Sequence, residues 1–405
     1  MESLRMLINK SQVAPFFNTD YNKEFTKAFA VGETVRVKMP QRFLIRNGLG
    51  YSPQPISRNY TTVACDQIFG VDFEWDSAEA ALKQERGEEA IKREYIEPAM
   101  NQIANELDSR CSQWAYQHTA NISGVLGTTP TDFSPYRRAR TIMNEQSAPP
   151  GNRGMIISPT MEENAVAAGV TYFNPTDAIS KQYKEGSMGR AAGFDWYSSN
   201  NLYTHTAGTW AGAVTVTSNV ADGATSLTIT ATAGDTFKVG DVISIGSVNY
   251  VNPVNRRTNG RAKTFVVTQD LTAAGGGADV LYVSAGDDAA GVFRGPGNQY
   301  QNVDALPLAG ATLTLFPGTG TPSGKVGVNG IALSGDAYAL VGVALEKPKA
   351  TEITSLSRDP ATGLSVRFVR MFDPVQSKMV NRFDVLCGFG NLYNEYSAVR
   401  VLSLA

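Results

Sequence analysis

Alternating hydrophobic and polar positions mark a region in the second half of the chain as β-structure. Six short runs have this pattern, at residues 214–217, 227–230, 242–245, 264–268, 280–283 and 313–316. A period of two places alternate side chains on the buried face of a strand, and turn residues separate the runs. No glutamate occurs between Glu185 and Glu346, although this helix-forming residue is frequent elsewhere. The pattern predicts a small antiparallel barrel or sandwich inserted into a mixed α+β chain.

One apolar stripe predicts a long helix from about Glu88 to His118. The stripe recurs every four residues and consists of Ile91, Tyr95, Ala99, Ile103, Leu107, Cys111 and Ala115, with Trp114 beside it. This spacing is that of a single helix face. Pro98 predicts a kink near residues 94–97, because proline removes a helical hydrogen bond. Five side chains should pack the helix against the strands after residue 364: Ile91, Tyr95, Ile103, Leu107 and Trp114.

Strand-like runs on both sides of this helix predict further sheet. They lie at residues 34–39, 42–46, 60–63, 68–74, 155–158, 364–371, 378–387 and 398–402. Asn47-Gly48 and Asp373-Pro374 mark two turns between such runs. Short helices are predicted at residues 136–145 and 159–168, while residues 337–341 fit either a helix or a strand. The whole pattern is that of an α+β protein.

Composition and charge narrow the classes of protein that remain. A length of 405 residues allows two or three domains, and the formal net charge of -2 provides no general basic field for nucleic acid. The N-terminus lacks the apolar core of a signal peptide, and no run approaches the roughly 20 apolar residues of a membrane span. Cys65, Cys111 and Cys387 are few and far apart, which favours reduced thiols over disulfides. We therefore expect no membrane association.

The chain offers little catalytic or metal-binding chemistry. His118 and His205 are the only histidines, and with three scattered cysteines they form no metal-ligand spacing. There is no Gly-x-Ser-x-Gly elbow, and the glycines at 275–277 precede a strand, whereas a phosphate loop needs a helix there. We expect no catalytic residue, no metal and no cofactor, and so a structural protein and not an enzyme.

Two basic clusters are candidate contact sites. The first surrounds the Asn259-Gly260 turn and comprises Arg256, Arg257, Arg261 and Lys263. A contact loop for an acidic neighbour and a solvated hairpin tip explain this cluster equally well. The second cluster lies on one side of a short predicted helix and comprises Arg137, Arg138 and Arg140. A solvated helix face is the favoured explanation there.

The order and spacing of these elements resemble the major capsid (coat) proteins of tailed bacteriophages. Residues 20–25 and 31–37 resemble that family's N-terminal arm leading into an extended loop, and residues 192–200 resemble the strand before an inserted domain. Within the β-rich region, residues 237–243 and 265–268 resemble the inserted β-barrel of the short-tailed-phage subgroup. The fragments span nearly the whole chain.

This resemblance implies the Hong Kong 97-type capsid fold, with N-terminal arm, extended loop, long spine helix, P- and A-domains, and an inserted antiparallel β-barrel. Five regions are then expected: an N-terminal arm (1–32), an extended β-hairpin loop (33–76), the spine helix and first part of the core α+β domain (77–209), the inserted barrel (210–322), and the return to the core domain with the C-terminal strands (323–405). In a relative, a long charged loop near the start of the inserted barrel bridges neighbouring capsomers. The matching turn of this chain, residues 219–224, is short, so the bridging role is not expected here.

The resemblance also implies a function. It points to a major capsid protein that self-assembles as pentamers and hexamers into the icosahedral head of a phage virion. The shell would enclose double-stranded DNA without sequence-specific binding and would be assembled in the host cytoplasm, with scaffolding protein and portal as partners.

Candidate inter-subunit contacts follow from the extended loop and the first basic cluster. A two-stranded hairpin is marginal alone in water, so its apolar side chains need a cover. We expect the arm and the loop to lie on neighbouring subunits. The candidate contact residues are Val35, Val37, Phe43, Ile45, Arg256, Arg257, Arg261 and Lys263.

Two other functions remain open on the sequence alone. A phage tail or decoration protein would lack the long kinked helix followed by a strand-helix core. A β-rich carbohydrate-binding or hydrolytic surface protein would carry paired acidic residues or exposed aromatic residues in a cleft.

Overall fold

A computed structural model describes the chain at residues 11–21, 34–46, 48–51, 53–56, 59–76, 95–172, 190–210, 212–286, 288, 290–315, 324–348, 353–358, 364–375 and 378–403. A short 3-10 turn at Ala14–Phe16 precedes the α-helices of this part of the chain. These helices are α1 (Glu97–His118), α2 (Ser134–Glu145), α3 (Pro159–Tyr172) and α4 (Asn394–Ser397). Within these ranges no helix combines the length and apolar character needed to cross a bilayer.

The same ranges contain the strands of the protein. The strands up to the middle of the chain are β1 (Thr34–Lys38), β2 (Tyr60–Asp76), β3 (Ile122–Gly124), β4 (Arg153–Ile157), β5 (Arg190–Ala191), β6 (Phe194–Ser198), β7 (Thr204–Thr206), β8 (Val214–Val216), β9 (Ser226–Thr230), β10 (Thr236–Phe237) and β11 (Val242–Val251). The remaining strands are β12 (Thr258–Val267), β13 (Leu271–Thr272), β14 (Asp279–Ser284), β15 (Thr312–Leu315), β16 (Val326–Val328), β17 (Gly330–Ser334), β18 (Tyr338–Val343), β19 (Ile353–Arg358), β20 (Ser365–Asp373), β21 (Lys378–Asn391) and β22 (Ala398–Leu402).

The chain divides into two compact units, each built from three separate segments. The first unit comprises Met1–Arg36, Thr62–Cys111 and Tyr338–Gly390. The second unit comprises Val37–Thr61, Ser112–Ala337 and Asn391–Ala405.

The first unit contains a sheet in the order β1-β2-β21-β20-β19, with β18 also paired to β21. The predicted hairpin after residue 364 is confirmed as β20 and β21, and Asp373 caps its turn by accepting a hydrogen bond from the Val375 amide at 2.9 Å. The predicted runs 60–63 and 68–74 form one strand, β2, which continues through a register shift between Ala64 and Gln67. A bulge of this kind lets a strand change its alignment without ending.

The described part of the long helix is α1, with a π-helical turn at residues 95–96 directly before it, and the predicted start near Glu88 lies outside the described residues. The backbone therefore departs from regular α-helical geometry directly before Pro98, within the segment for which the kink was predicted. Leu107 is fully buried and Ile103 nearly so. Burial raises the pKa of Cys111, and Cys387 of β21 is near enough to add to this effect, so this face of α1 lies next to the sheet. Ile91 lies outside the described residues.

The N-terminal segment is fastened to its own unit. The Asp108 carboxylate on α1 accepts hydrogen bonds from the backbone amides of Gln12 at 2.6 Å, Val13 at 3.2 Å and Ala14 at 3.1 Å. The Phe17 ring stacks on the Tyr338 ring at 5.4 Å. The expectation that the arm lies on neighbouring subunits is therefore wrong for residues 12–17. Residues 1–10 and 22–33 lie outside the described ranges.

The second unit contains a core sheet in the order β3-β22-β17-β4-β6-β5. β22 pairs with β3 in parallel, as does β4 with β6, and the other neighbours are antiparallel. The predicted runs at 155–158 and 398–402 are confirmed as β4 and β22, and the two short predicted helices as α2 and α3. The buried side chains of α2 join the core of this sheet; they include Tyr136, Ala139, Ile142 and Met143.

The inserted β-structure is a closed barrel in the order β11-β12-β14-β9-β8-β15. Each of the six predicted alternating runs overlaps one of these strands, so the barrel prediction is confirmed. Its interior is filled by aliphatic and aromatic side chains, among them Ile229, Phe265, Leu281 and Phe293. The flanking strands β7 and β16 pair with each other, with Thr206 opposite Val326.

Two predictions before the helix region were wrong. Residues 42–46 do not form a strand: the Leu44 amide donates to Gln54 Oε1 at 2.7 Å and Gln54 Nε2 donates to the Leu44 carbonyl at 2.6 Å, so a side chain replaces the partner strand. Val35 and Val37 are buried within the chain, because β1 joins the β2 sheet. The ambiguous residues 337–341 resolve as the strand β18.

Candidate functional site

Both histidines serve structural contacts. His118 Nδ1 lies 2.9 Å from the Trp114 carbonyl, its ring stacks on the Trp114 ring at 4.1 Å, and burial lowers its pKa. His205 Nε2 lies 2.8 Å from Asp241 Oδ1 in the interior of the second unit. In the described ranges no group of three or more His, Cys, Asp or Glu residues could hold a metal ion.

A buried carboxylate attaches the barrel to the C-terminal segment of its unit. Glu395 on α4 accepts a hydrogen bond from Lys263 Nζ of β12 at 2.6 Å and one from Arg294 Nη2 at 2.6 Å. Asn302 Nδ2 adds a third at 3.1 Å. Burial alone would raise the pKa of Glu395, but the two cations outweigh it and hold the pKa at about 2. Burial lowers the pKa of Lys263, and Glu395 opposes that effect.

A second buried contact joins the barrel to the same core. The Arg400 Nη1 atom on β22 donates to the Gly240 carbonyl at 2.7 Å, and the Arg400 guanidinium lies over the Tyr116 ring at 4.2 Å. Next to it, Asp241 Oδ2 accepts from the backbone amides of Gly208 at 3.0 Å and Lys238 at 2.8 Å. These bonds satisfy polar groups that would otherwise be costly to bury.

The connection between β1 and β2 exposes large apolar side chains, and we call these residues the apolar loop. Its members, with the exposed fraction of each, are Phe43 (60%), Ile45 (93%), Leu49 (100%), Tyr51 (92%) and Ile56 (75%). Single exposed hydrophobic residues are normal, but five within 14 positions mark an interaction surface. The apolar loop is the strongest candidate surface of the chain.

The base of this loop is anchored on its own unit. Arg42 Nη1 donates to the Tyr396 hydroxyl at 3.0 Å, and the Arg42 guanidinium lies over the Tyr396 ring at 5.0 Å. Gln299 Nε2 donates to the Pro55 carbonyl at 2.9 Å. Arg256 bridges the two sides, because Nη2 donates to the Gln299 carbonyl at 2.7 Å and to the Phe43 carbonyl at 3.4 Å. The loop is therefore held at its base and exposed at its tip.

The predicted contact residues fall into two groups. Phe43, Ile45 and Arg257 are exposed and available to a partner. Lys263, Val35 and Val37 are buried in the chain, and Arg256 and Arg261 are partly buried. Their intramolecular bonds were missed from the sequence because no local pattern shows that Glu395 lies opposite Lys263. Leu49, Tyr51 and Ile56 were also missed, although they are the only large apolar residues at 47–59 and could have been noted.

The predicted spine-helix residues also differ among themselves. Ile103 and Leu107 are buried, Trp114 is partly buried and Tyr95 is 40% exposed. Trp114 Nε1 donates to Asn391 Oδ1 at 3.1 Å, so its polar end is satisfied within the second unit.

The two basic clusters meet, which their separation in sequence did not predict. Arg137 and Arg138 on α2 and Arg261 at the start of β12 line one groove of about 750 Å³. Arg256 lines a different cavity, of about 450 Å³, together with Arg42 and Phe43.

Comparison with known families decides the class of this protein. A sequence model described as P22 coat protein, gene protein 5, matches residues 70–396, which include α1, the whole barrel and every strand of the core sheet except β22. The chain belongs to the P22 coat protein family. It is thus a structural major capsid protein, located in the capsid of the virion, and the tail, decoration and carbohydrate-binding alternatives fall away. A search of curated proteins found no match to this coat protein.

Solved structures with a similar chain trace come from phages. One is from Mycobacterium phage Che8, at 13% identity, covering 96% of this chain and 90% of that chain with a TM-score of 0.48. Another is the capsid of the cyanophage P-SCSP1u, at 10% identity, covering 93% and 84% with a TM-score of 0.42. A third is the mature capsid of bacteriophage PhiM1, at 8% identity, covering 92% and 83% with a TM-score of 0.44.

Proposed function

We propose that this coat protein forms an icosahedral shell of pentamers and hexamers, with the Hong Kong 97-type arrangement of arm, extended loop, spine helix, P- and A-domains. The shell encloses double-stranded DNA without sequence-specific recognition, in keeping with a formal net charge of -2. Scaffolding protein and portal act as assembly partners in the host cytoplasm. The role is structural and not enzymatic.

The apolar loop carries this proposal. Fully burying one large aliphatic or aromatic side chain contributes about 1.5–3 kcal/mol, so five exposed ones favour a covered state. Because Arg42, Gln299 and Arg256 hold the base of the loop, little conformational freedom is lost when its tip docks. A neighbouring subunit in a shell supplies such a cover at every copy.

Electron microscopy and hydrogen exchange test the proposal together. Purified protein, alone and with scaffolding protein, should form closed shells, and the amides of residues 43–56 should exchange fast in free subunits and slowly in shells. Residues 60–73 serve as the internal control, since β2 is hydrogen-bonded within its sheet in both states. Equal protection of residues 43–56 in both states would rule out the loop as the contact, and permanent monomers would rule out the shell.

A charge placed on the apolar loop provides a second test, in which shell formation is measured. Ile45→Asp and Tyr51→Asp should each leave the subunit folded, because both side chains are exposed, yet should block shell formation. Leu308→Asp, at a residue 63% exposed outside the loop, is the matched control and should assemble normally.

A further inference from the structure

A groove rich in arginine lies between α2 and residues 259–261 of β12, where the pairing of β12 with β11 shifts register, so the turn predicted at Asn259-Gly260 is a bulge inside the strand. Arg137 and Arg138 come from the helix, while Asn259 and Arg261 come from the hairpin. The groove has a volume of about 750 Å³, enough for several side chains of a partner. Two sequence clusters more than 100 positions apart therefore form one surface.

The groove has an excess of positive charge. Arg261 Nε lies 3.4 Å from Glu145 Oε2, whereas Arg137 and Arg138 are exposed and have no carboxylate within ion-pair distance among the described residues. Three arginines and Glu145 give the groove a charge of +2. Since the chain carries -2 in total, the rest of the chain carries -4. The carboxylates that are in excess elsewhere on a second copy are therefore attracted to this groove.

Both walls of the groove are pre-organised. The buried face of α2, which includes Tyr136 and Met143, fixes the helix. On the hairpin, Asn259 Oδ1 accepts from the Arg261 amide at 3.1 Å, Gly260 adopts a φ of +76°, and the Arg261 guanidinium lies 4.8 Å from the Tyr250 ring. Arg261 is thus held in place, while the buried face of α2 fixes the backbone from which Arg137 and Arg138 extend. Burial lowers the pKa of Arg261, and the nearby charge of Arg138 acts in the same direction.

We propose that this groove binds a carboxylate-bearing segment of a second copy of this chain. Guanidinium groups bind carboxylates with two parallel hydrogen bonds, which gives both strength and orientation. This inference rests on the proposed function, because the shell provides the second copy at high local concentration. The groove is separate from the apolar loop, so it forms a second, polar contact between subunits.

Nucleic acid fits the groove less well. Duplex DNA carries one charge about every 1.7 Å, and tight binding neutralises several neighbouring phosphates at once. Here Glu145 lines the same groove and would face such a backbone with a like charge. An isolated carboxylate can bind Arg137 and Arg138 while Glu145 keeps its bond to Arg261.

Cross-linking between differently labelled copies tests the proposal directly. The variant Arg137→Lys/Arg138→Lys keeps both charges and adds amines that a carbodiimide couples to a carboxylate as an amide, with loss of water. Subunits labelled with ¹⁴N and ¹⁵N are mixed, assembled and cross-linked, and the joined peptides are identified by mass spectrometry. We expect heavy–light pairs joining position 137 or 138 to one acidic segment.

Other outcomes of the same experiment would overturn the inference. Exclusively heavy–heavy and light–light pairs would mean that the groove is filled by its own chain. Assembled shells without any cross-link at these positions would mean that no carboxylate approaches. The cross-linked pairs can be identified in isolated capsomers as well as in shells. Heavy–light pairs in capsomers that form no closed shell would contradict the proposed shell and not the groove, whereas shells without such pairs would contradict the groove and not the shell.

Charge reversal provides a second measurement. Arg137→Glu/Arg138→Glu should lower the yield of assembled protein at least about tenfold, since like charges across an interface are strongly unfavourable. The control, Lys325→Glu/Lys347→Glu, changes the net charge equally at exposed positions outside the groove. A yield as high as that of the control would contradict the proposal. A DNA site would instead appear as lost oligonucleotide binding with unchanged assembly.

Discussion

The Lys263 Nζ atom lies 2.6 Å from the Glu395 Oε1 atom, although 132 positions separate the two residues in sequence. Both side chains are almost completely buried, as is Arg294, which binds the other carboxylate oxygen. One carboxylate therefore binds two cations in the interior. A barrel inserted into another domain is held here by charge as well as by shared apolar surface.

Replacing this carboxylate should destabilise the protein strongly. Glu395→Gln keeps the shape of the side chain but removes the carboxylate charge that Lys263 and Arg294 both bind in the interior. Breaking a buried ion pair on one side costs about 3–5 kcal/mol, which urea unfolding of the soluble subunit should show. The control is Glu106→Gln, because the Glu106–Arg110 pair is exposed and should be worth less than about 1 kcal/mol. Equal losses in the two variants would contradict the assignment.

The same carboxylate should make the protein sensitive to acid. The pKa of Glu395 is held at about 2, below the value of 4.5 for an unfolded glutamate. Its stabilising contribution is therefore complete above pH 4.5 and is lost as the pH falls towards 2. The unfolding free energy of Glu395→Gln should lack this part of the pH dependence. A wild-type profile parallel to that of the variant between these values would count against the ion pair.

Asp288 should act in the opposite direction. Burial raises the pKa of Asp288 from 3.8 to about 6, so the folded state prefers the protonated carboxyl. The group accordingly opposes folding increasingly as the pH rises from 3.8 to about 6. Asp288→Asn should remove this cost and raise the unfolding free energy at neutral pH by on the order of 2 kcal/mol. Similar stability of the two proteins at pH 4 provides the control.

Leu107 should tolerate no charge. Its side chain is fully buried on α1, and an unpaired buried carboxylate costs several kcal/mol. Leu107→Asp should be insoluble or fail to assemble, as measured by soluble yield and electron microscopy. Gln102→Asp introduces the same group on the exposed face of the same helix and should behave like wild type. Normal particles from Leu107→Asp would show that this face is exposed in the capsid.

The barrel, excised as residues 210–322, should fold alone. Its closed sheet and its own apolar core are contained in this segment, and a dispersed ¹H–¹⁵N spectrum would show the fold. Without Glu395, however, Lys263 has lost its buried partner. Lys263→Met should then stabilise the excised barrel or leave it unchanged, while it destabilises the full chain. If Lys263→Met destabilised the excised barrel as it destabilises the full chain, a role for Glu395 would be contradicted.

Local patterns predicted the barrel strands, the C-terminal hairpin and the buried positions of α1 well. Each of these depends on periodicity along a short segment, which is present in the sequence. The strand predicted at residues 42–46 does not form, because the Gln54 side chain makes the hydrogen bonds with Leu44 that a partner strand would make. Gln54 is ten positions from Leu44, and the alternating pattern of residues 42–46 gives no sign of it. The prediction of Lys263 as a surface contact was wrong because Lys263 is buried against Glu395. The two residues are 132 positions apart, and no local sequence pattern indicates such a distant partner. The groove of Arg137 and Arg261 could not be predicted for the same reason.

The pairing of Thr206 with Val326 has a consequence for how such a coat protein can change over time. The two residues flank the barrel in sequence and are direct neighbours in a two-stranded ladder. The two ends of the inserted segment therefore lie side by side, as the two ends of a hairpin turn do. Extending a loop whose ends are already together costs little, since each doubling of its length adds only about 0.6 kcal/mol of closure entropy. A lineage could therefore shorten, exchange or lose the module at this position while β7 and β16 keep their register. The barrel is therefore a module that could be exchanged without altering the strands beside it. In this protein, however, Glu395 outside the barrel binds Lys263 and Arg294 within it, so loss of the barrel would leave Glu395 without these two partners.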